Sequence, residues 1–195
     1  MTRLRPLDRE EMPGFEDLFA DADRRGREVP NLLRVLARKP KILKALRELR
    51  RVTISDGKVS KELKNMVAQL SSLSAGCNYC AAHNAGFAID MGLSAEKEDQ
   101  LWSYETSDLF TEAERAALRL AQSAVQTPNA VTDEDFDNLK QFYDEEEIVE
   151  LLSVIGVFGF YNRVNDTLAT KLESYPKSIA ERHLTKQGWV VGKHE

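Results

Sequence analysis

Apolar residues recur three and four positions apart along almost the whole chain, the spacing of one buried helical face after another. Pro30 and Pro40 bracket a short helix with Leu32, Leu33, Val35 and Leu36 as its apolar positions. Ile42, Leu43, Leu46 and Leu49 continue the pattern in a second helix that ends near Asp56-Gly57. Ser60 can cap a helix carrying Leu63, Met66, Val67, Leu70 and Leu73 up to Gly76, and the next runs through Ala85, Phe87, Ala88 and Met91 to stop at Gly92. Ser94 opens a segment with Leu101 and Trp102. Thr111 and Glu114 form a capping-box pattern ahead of Ala117, Leu118, Leu120 and Ala121, a helix that Thr127-Pro128-Asn129 ends. Thr132 starts another with Phe136, Leu139 and Phe142. No alternation of apolar and polar residues is long enough to demand a sheet. The pattern predicts an all-α fold, a single helical domain over residues 1–173.

Asp144 and Glu147 open the most apolar segment, Ile148 to Tyr161, interrupted by Glu150 and Ser153. A helix apolar on nearly all sides belongs at the centre of the core or in a subunit interface, so a homo-oligomer is expected. Asn162, Arg163, Asn165 and Asp166 follow it. They either line a cleft or subunit contact, or mark where the helix emerges into solvent. Residues 174–195 read as a tail, frayed or docked on a neighbouring subunit, with Trp189, Val190 and Val191 near its end.

The net charge of −5 argues against nucleic acid as the main partner. Residues 1–51 carry an excess of Lys and Arg, but interleaved with Leu, Val and Ile as on solvated helix faces. Asp133, Asp135 and Asp137 hint at a calcium loop. Asn138 stands where such a loop needs glycine, so these aspartates read as helix N-terminal charges. The apolar stretch is too short to cross a membrane and nothing resembles a signal peptide, so a cytoplasmic, reducing setting is the expectation.

In such a setting the two cysteines carry the chemistry: Cys77-Asn78-Tyr79-Cys80-Ala81-Ala82-His83. Gly76 permits a break before Cys77, which puts both thiols in the first turn of a helix, where free N–H groups and the helix dipole favour thiolate. His83 lies three residues past Cys80, on the same face, where an imidazole can take or return a proton. Ala81 after Cys80 excludes covalent haem attachment. A zinc site would have to draw on His183 or His194, and two small buried residues remain the plain alternative. A redox-active dithiol fits the pattern best, with no metal and no cofactor.

The stretch Leu63 to Ala88, around Ser-Ala-Gly-Cys-Asn-Tyr-Cys-Ala-Ala-His, resembles the carboxymuconolactone decarboxylase superfamily and, within it, the alkylhydroperoxidase AhpD-like, peroxidase-related branch. Tyr104 to Phe110, Ala113 to Leu118 and Phe158 to Thr167 carry the resemblance further, from about Leu7 to Leu172. It implies an oligomeric, all-helical hydroperoxide reductase. Cys80 would attack the peroxide, Cys77 would resolve the sulfenic acid to a disulfide, and an external dithiol or thioredoxin-like reductant would regenerate both. His83 would relay the proton. The histidine follows the second cysteine by three residues where the best-studied members have four. Asn65 occupies the position at which the family usually has a glutamate that orients and charges the histidine, and Glu62 lies one turn earlier. A disulfide reductase or isomerase, and a redox-sensing scaffold, are the competing functions; the cysteines argue against lactone decarboxylation.

Overall fold

The computed structural model describes residues 2–195, among which there are ten α-helices and no strand. In chain order these are α1 (Glu16–Arg25), α2 (Asn31–Leu36), α3 (Pro40–Ser55), α4 (Lys61–Ser74), α5 (Asn78–Asp90), α6 (Ala95–Asp99), α7 (Glu112–Ala124), α8 (Asp133–Leu139), α9 (Glu145–Leu168) and α10 (Ser174–His183). The caps expected from the sequence form. Ser60 Oγ accepts from the Leu63 N–H, and Thr111 with Glu114 and Asp144 with Glu147 close reciprocal boxes. Thr132 caps α8 through Asp135, so the aspartates there are helix-start charges.

Helix α4 is buried along almost its whole length and is the hub of the bundle, packed on α5, α7 and α9. Several of its buried polar residues pair inside the protein. Lys64 is fully buried against Glu150 of α9 at 2.7 Å, and Glu150 also accepts from the backbone N–H groups of Lys58 and Val59. This explains the glutamate that interrupts the apolar stretch: it ties the α3–α4 loop to α9. Gly57 in that loop has φ +104°, and a Cβ there would meet the Glu150 carboxylate at 2.3 Å. Helix α9 is central on one side only. Leu151, Val154, Phe158 and Tyr161 are buried, whereas Val149, Leu152 and Phe160 are exposed.

Residues 174–195 pack on their own chain. Helix α10 lies against α5. Trp189 is buried and donates from Nε1 to the Asn78 carbonyl at 2.9 Å, and the Leu172 N–H donates to the His194 carbonyl at 2.8 Å. The segment therefore braces the start of the cysteine helix. Helix α9 ends with Ala169 in the left-handed region at φ 48°, and the turn it makes delivers residues 170–173 back to the α5 surface.

Candidate active site

The end of α4 and the start of α5 are one interlocked turn. The Gly76 N–H donates to Leu73 O and the Cys77 N–H to Ser72 O, a Schellman arrangement with Gly76 at φ +71°. Cys77 is thus the last bonded residue of one helix cap and the N-cap of the next, with non-helical backbone angles (φ −90°, ψ 89°). Residues three apart within a helix are too far apart for an undistorted disulfide. An N-cap residue has non-helical backbone angles and is not bound by that spacing. Both thiols are free and buried.

Cys80 sits on a cleft of about 540 Å³ between α2, α3, α5 and α9, with Leu32, Phe87, Phe158 and Tyr161 among its apolar and aromatic walls. Burial pushes the Cys80 thiol well above its ordinary value, and the Cys77 sulfur beside it adds to the rise. The Asn165 amide, donating from Nδ2 to Cys80 Sγ at 3.3 Å, acts the other way. This corrects the expectation that helix position favours thiolate in the resting protein. The thiol is in the first turn, as expected, but burial there opposes its ionisation. Asn165 is fully buried and its Oδ1 has no partner among the described residues. The polar residues after Tyr161 therefore divide: Asn165 lines the cleft, Asn162 is buried, and Arg163 is exposed.

His83 lines the same cleft and is held by a carboxylate that neither Asn65 nor Glu62 supplies. Asn65 instead donates from Nδ2 to the Asn84 carbonyl at 3.0 Å, fastening α4 to α5. Glu62 is exposed. The carboxylate is Glu173, on the turn before α10, whose Oε2 lies 2.6 Å from His83 Nε2. Its Oε1 accepts from the Tyr79 hydroxyl at 2.9 Å and from the backbone N–H of Asn31. The N-terminus of α2 has no cap of its own, and Glu173 caps it from the far end of the chain. Burial pushes Glu173 up, but the charge and hydrogen bond of His83 and the Asn31 N–H more than offset it, leaving the carboxyl below its ordinary range. Tyr79 is pushed well above its ordinary value by burial and then by Glu173, so its hydroxyl remains a donor.

An ionised carboxylate only accepts, so His83 Nε2 must carry a proton. No described residue hydrogen-bonds to Nδ1, which leaves that nitrogen unengaged beside the cleft. His183 Nδ1 meets Asp99 at 2.8 Å and His194 Nδ1 the Thr170 carbonyl at 2.8 Å, so neither joins the cysteines. No cluster of three or more potential metal ligands occurs among the described residues. None of their helices is long and apolar enough to cross a membrane.

A family model for carboxymuconolactone decarboxylases matches residues 40–123, the span that holds α3, both cysteines and His83. The apo structure of the debrominase Bmp8 is 30% identical to this chain, over 93% of it and 97% of the debrominase, with a TM-score of 0.85. The chain belongs to the carboxymuconolactone decarboxylase superfamily. A cysteine-to-alanine variant of the same debrominase, in complex with 2,3,4-tribromopyrrole, is 29% identical over the same shares, with a TM-score of 0.86. The fold is that of the AhpD-like branch. A peroxidase-related protein with an alkylhydroperoxidase AhpD core, from Ralstonia eutropha JMP134, superposes with a TM-score of 0.75 at 22% identity, over 86% of this chain and 90% of that one. The uncharacterized protein YdfG of Bacillus subtilis (strain 168) is 23% identical over 136 residues, 69% of this chain and 92% of the relative.

Proposed function

We propose that this superfamily member is a dithiol-dependent hydroperoxide reductase. The observation that carries the reading is the pair of free, buried thiols, Cys77 at the N-cap and Cys80 in the first turn of α5, with Cys80 on a cleft that also contains His83. Cys80 loses its proton toward His83 Nδ1, through a water where the ring does not touch sulfur directly. The thiolate attacks the terminal peroxide oxygen and the O–O bond breaks. Cys80 becomes a sulfenic acid, and the alkoxide takes the proton from His83 and leaves as alcohol. Cys77 then attacks the Cys80 sulfur, its proton leaves with the hydroxyl as water, and the disulfide forms; the two electrons given up by the thiols have reduced the peroxide. An external dithiol, thioredoxin-like, restores them.

Burial of Cys80 fits this sequence, since a thiol that ionises only as substrate arrives is spared idle oxidation. Glu173 keeps the His83 ring in one orientation and one tautomer. Asn165 holds the Cys80 sulfur through its Nδ2–H. The reading includes a homo-oligomer, favoured by the exposed apolar residues Ile42 and Leu49 of α3 and Val149, Leu152 and Phe160 of α9.

A second reading is favoured by the likeness to the debrominase over nearly the whole of both chains. The same thiols would take a halogen from a small haloaromatic: Cys80 forms the S–halogen bond, the ring carbon takes a proton, and Cys77 displaces halide as the disulfide forms. Supplying reduced protein with dithiothreitol and either cumene hydroperoxide or 2,3,4-tribromopyrrole separates the two. Alcohol formation without bromide release supports the first reading, bromide release alone supports the second, and neither product from a fully reduced protein would sink both.

A further inference from the structure

The cleft holds a cation that the protein leaves without a partner. Helix α3 lays Lys44, Arg47, Arg50 and Arg51 along one wall. Arg47 is taken by Asp17 at 2.5 Å, and Arg51 by Glu48 at 2.8 Å and Asp56 at 3.2 Å. Lys44 is exposed. Arg50 is partly buried, and among the described residues no carboxylate or carbonyl accepts from its guanidinium. Its neighbour is the Phe87 ring, with Cζ 4.9 Å from the centroid. Phe87 stands one turn after His83 on α5, so this cation faces the reacting end of the cleft. The chain as a whole is acidic, and its other half-buried arginines, Arg27, Arg34, Arg115 and Arg119, each have a carboxylate partner, so Arg50 is the departure.

A guanidinium kept partly out of water without an anion is unfavourable unless an anion arrives. Its planar fork matches one flat carboxylate through two parallel hydrogen bonds. The arginines on either side of it along α3 are already occupied, so the site suits a single monoanion and not a phosphate dianion. We propose, resting on the thiol-reductase reading above, that the substrate is an organic acid with an apolar or aromatic body. Its carboxylate pairs with Arg50, its body lies against Leu32, Phe87 and Phe158, and its electrophilic atom meets Cys80 Sγ. Arg50 is thus a substrate-binding residue that selects for a negative charge, and α3 attracts that charge to the cleft.

Binding without turnover tests this independently of the redox chemistry. Benzoate titrated calorimetrically into reduced wild-type protein should bind at least ~10-fold more tightly than methyl benzoate, the scale of one charge-assisted pair. Arg50→Ala should remove that preference and Arg50→Lys should keep part of it. In hydroperoxide assays Arg50→Ala should raise KM about 10-fold or more for a carboxylate-bearing alkyl hydroperoxide, with its methyl ester unaffected. The pH profile of Cys80 alkylation by iodoacetamide should not move. Equal benzoate binding by wild type and Arg50→Ala would overturn the proposal, as would a shifted alkylation profile with acid and ester losing equally, because Arg50 would then serve the thiolate. If benzoate binds through Arg50 in a protein that reduces neither hydroperoxide nor bromopyrrole, the carboxylate site stands and the reductase reading falls.

Discussion

Two glutamates of this protein are buried almost equally, Glu173 at 4% exposure and Glu98 at 0%, yet their surroundings drive them in opposite directions. At Glu98 burial pushes the carboxyl up. The Gln69 amide and the charge of His183 offset only part of that rise, and Asp99 adds a like charge. Its Oε2 has no partner among the described residues. At Glu173 burial pushes up as well, but an imidazole and a backbone N–H bring the carboxyl below its ordinary range, and the Tyr79 hydroxyl completes the shell. The first is a carboxyl group whose ionisation its burial opposes. The second is a fixed negative charge aimed at a ring that opens on a cleft. Burial alone therefore does not distinguish a working carboxylate; the charge and position of its partner do.

The largest expected effect separates the two in activity. Glu173→Gln should lower kcat/KM for hydroperoxide reduction by about 100-fold, the usual scale of a disabled proton relay, whereas Glu98→Gln should stay within about twofold of wild type. Equal losses would mean that both act only through stability.

Stability against pH should separate them by sign. Glu173 has a depressed folded value, so its contribution is present above the ordinary carboxylate range and is lost as pH falls through the depressed value. Glu98 has a raised folded value, so its contribution is present below that range and is lost as pH rises through the raised value. In urea unfolding at pH 7, Glu173→Gln should cost about 1–3 kcal/mol, with the deficit shrinking toward pH 3. Glu98→Gln should gain on wild type as pH rises from 4 to 7. Parallel pH profiles for the two variants would break the comparison.

A third buried carboxylate sharpens it. Asn65→Glu would replace a donor to the Asn84 carbonyl by an acceptor, and should destabilise by about 1–3 kcal/mol at pH 7. Because Glu173 already holds His83, the iodoacetamide profile of Cys80 should not shift to lower pH. A shift downward would show that the family's usual glutamate position still reaches the ring. The smallest effect concerns assembly. Light scattering at micromolar concentration should give a mass above the 22.1 kDa of one chain, and Glu173→Gln should leave that mass unchanged.

What the sequence makes legible is what local pattern encodes. Helical spacing and the chemistry of Ser60, Thr111 with Glu114 and Asp144 with Glu147 mark where helices begin, and Gly76 marks the turn that seats Cys77. Glu173 carries no such mark. It meets His83 from 90 residues away, and nothing near it in sequence distinguishes it from other glutamates. Asn65 occupies a position with a family precedent, but its side chain is already engaged by the Asn84 carbonyl. Arg50 is hidden for a different reason: it is one of several basic residues on α3, and only the fold reveals which of them lack a partner. The state of Cys80 follows the same division. Its place in the first helical turn is readable locally, whereas the desolvation that pushes its thiol up comes from packing across the bundle.

The central claim is that the Cys77–Cys80 pair reduces peroxide with His83 under the control of Glu173. It is tested most directly by quenched-flow mass spectrometry of reduced protein mixed with one equivalent of cumene hydroperoxide. Wild type and Glu98→Gln should form the Cys77–Cys80 disulfide stoichiometrically at similar rates, and Glu173→Gln should form the same bond about 100-fold more slowly. Equal rates in all three, or oxidation that never links the two cysteines, would contradict it.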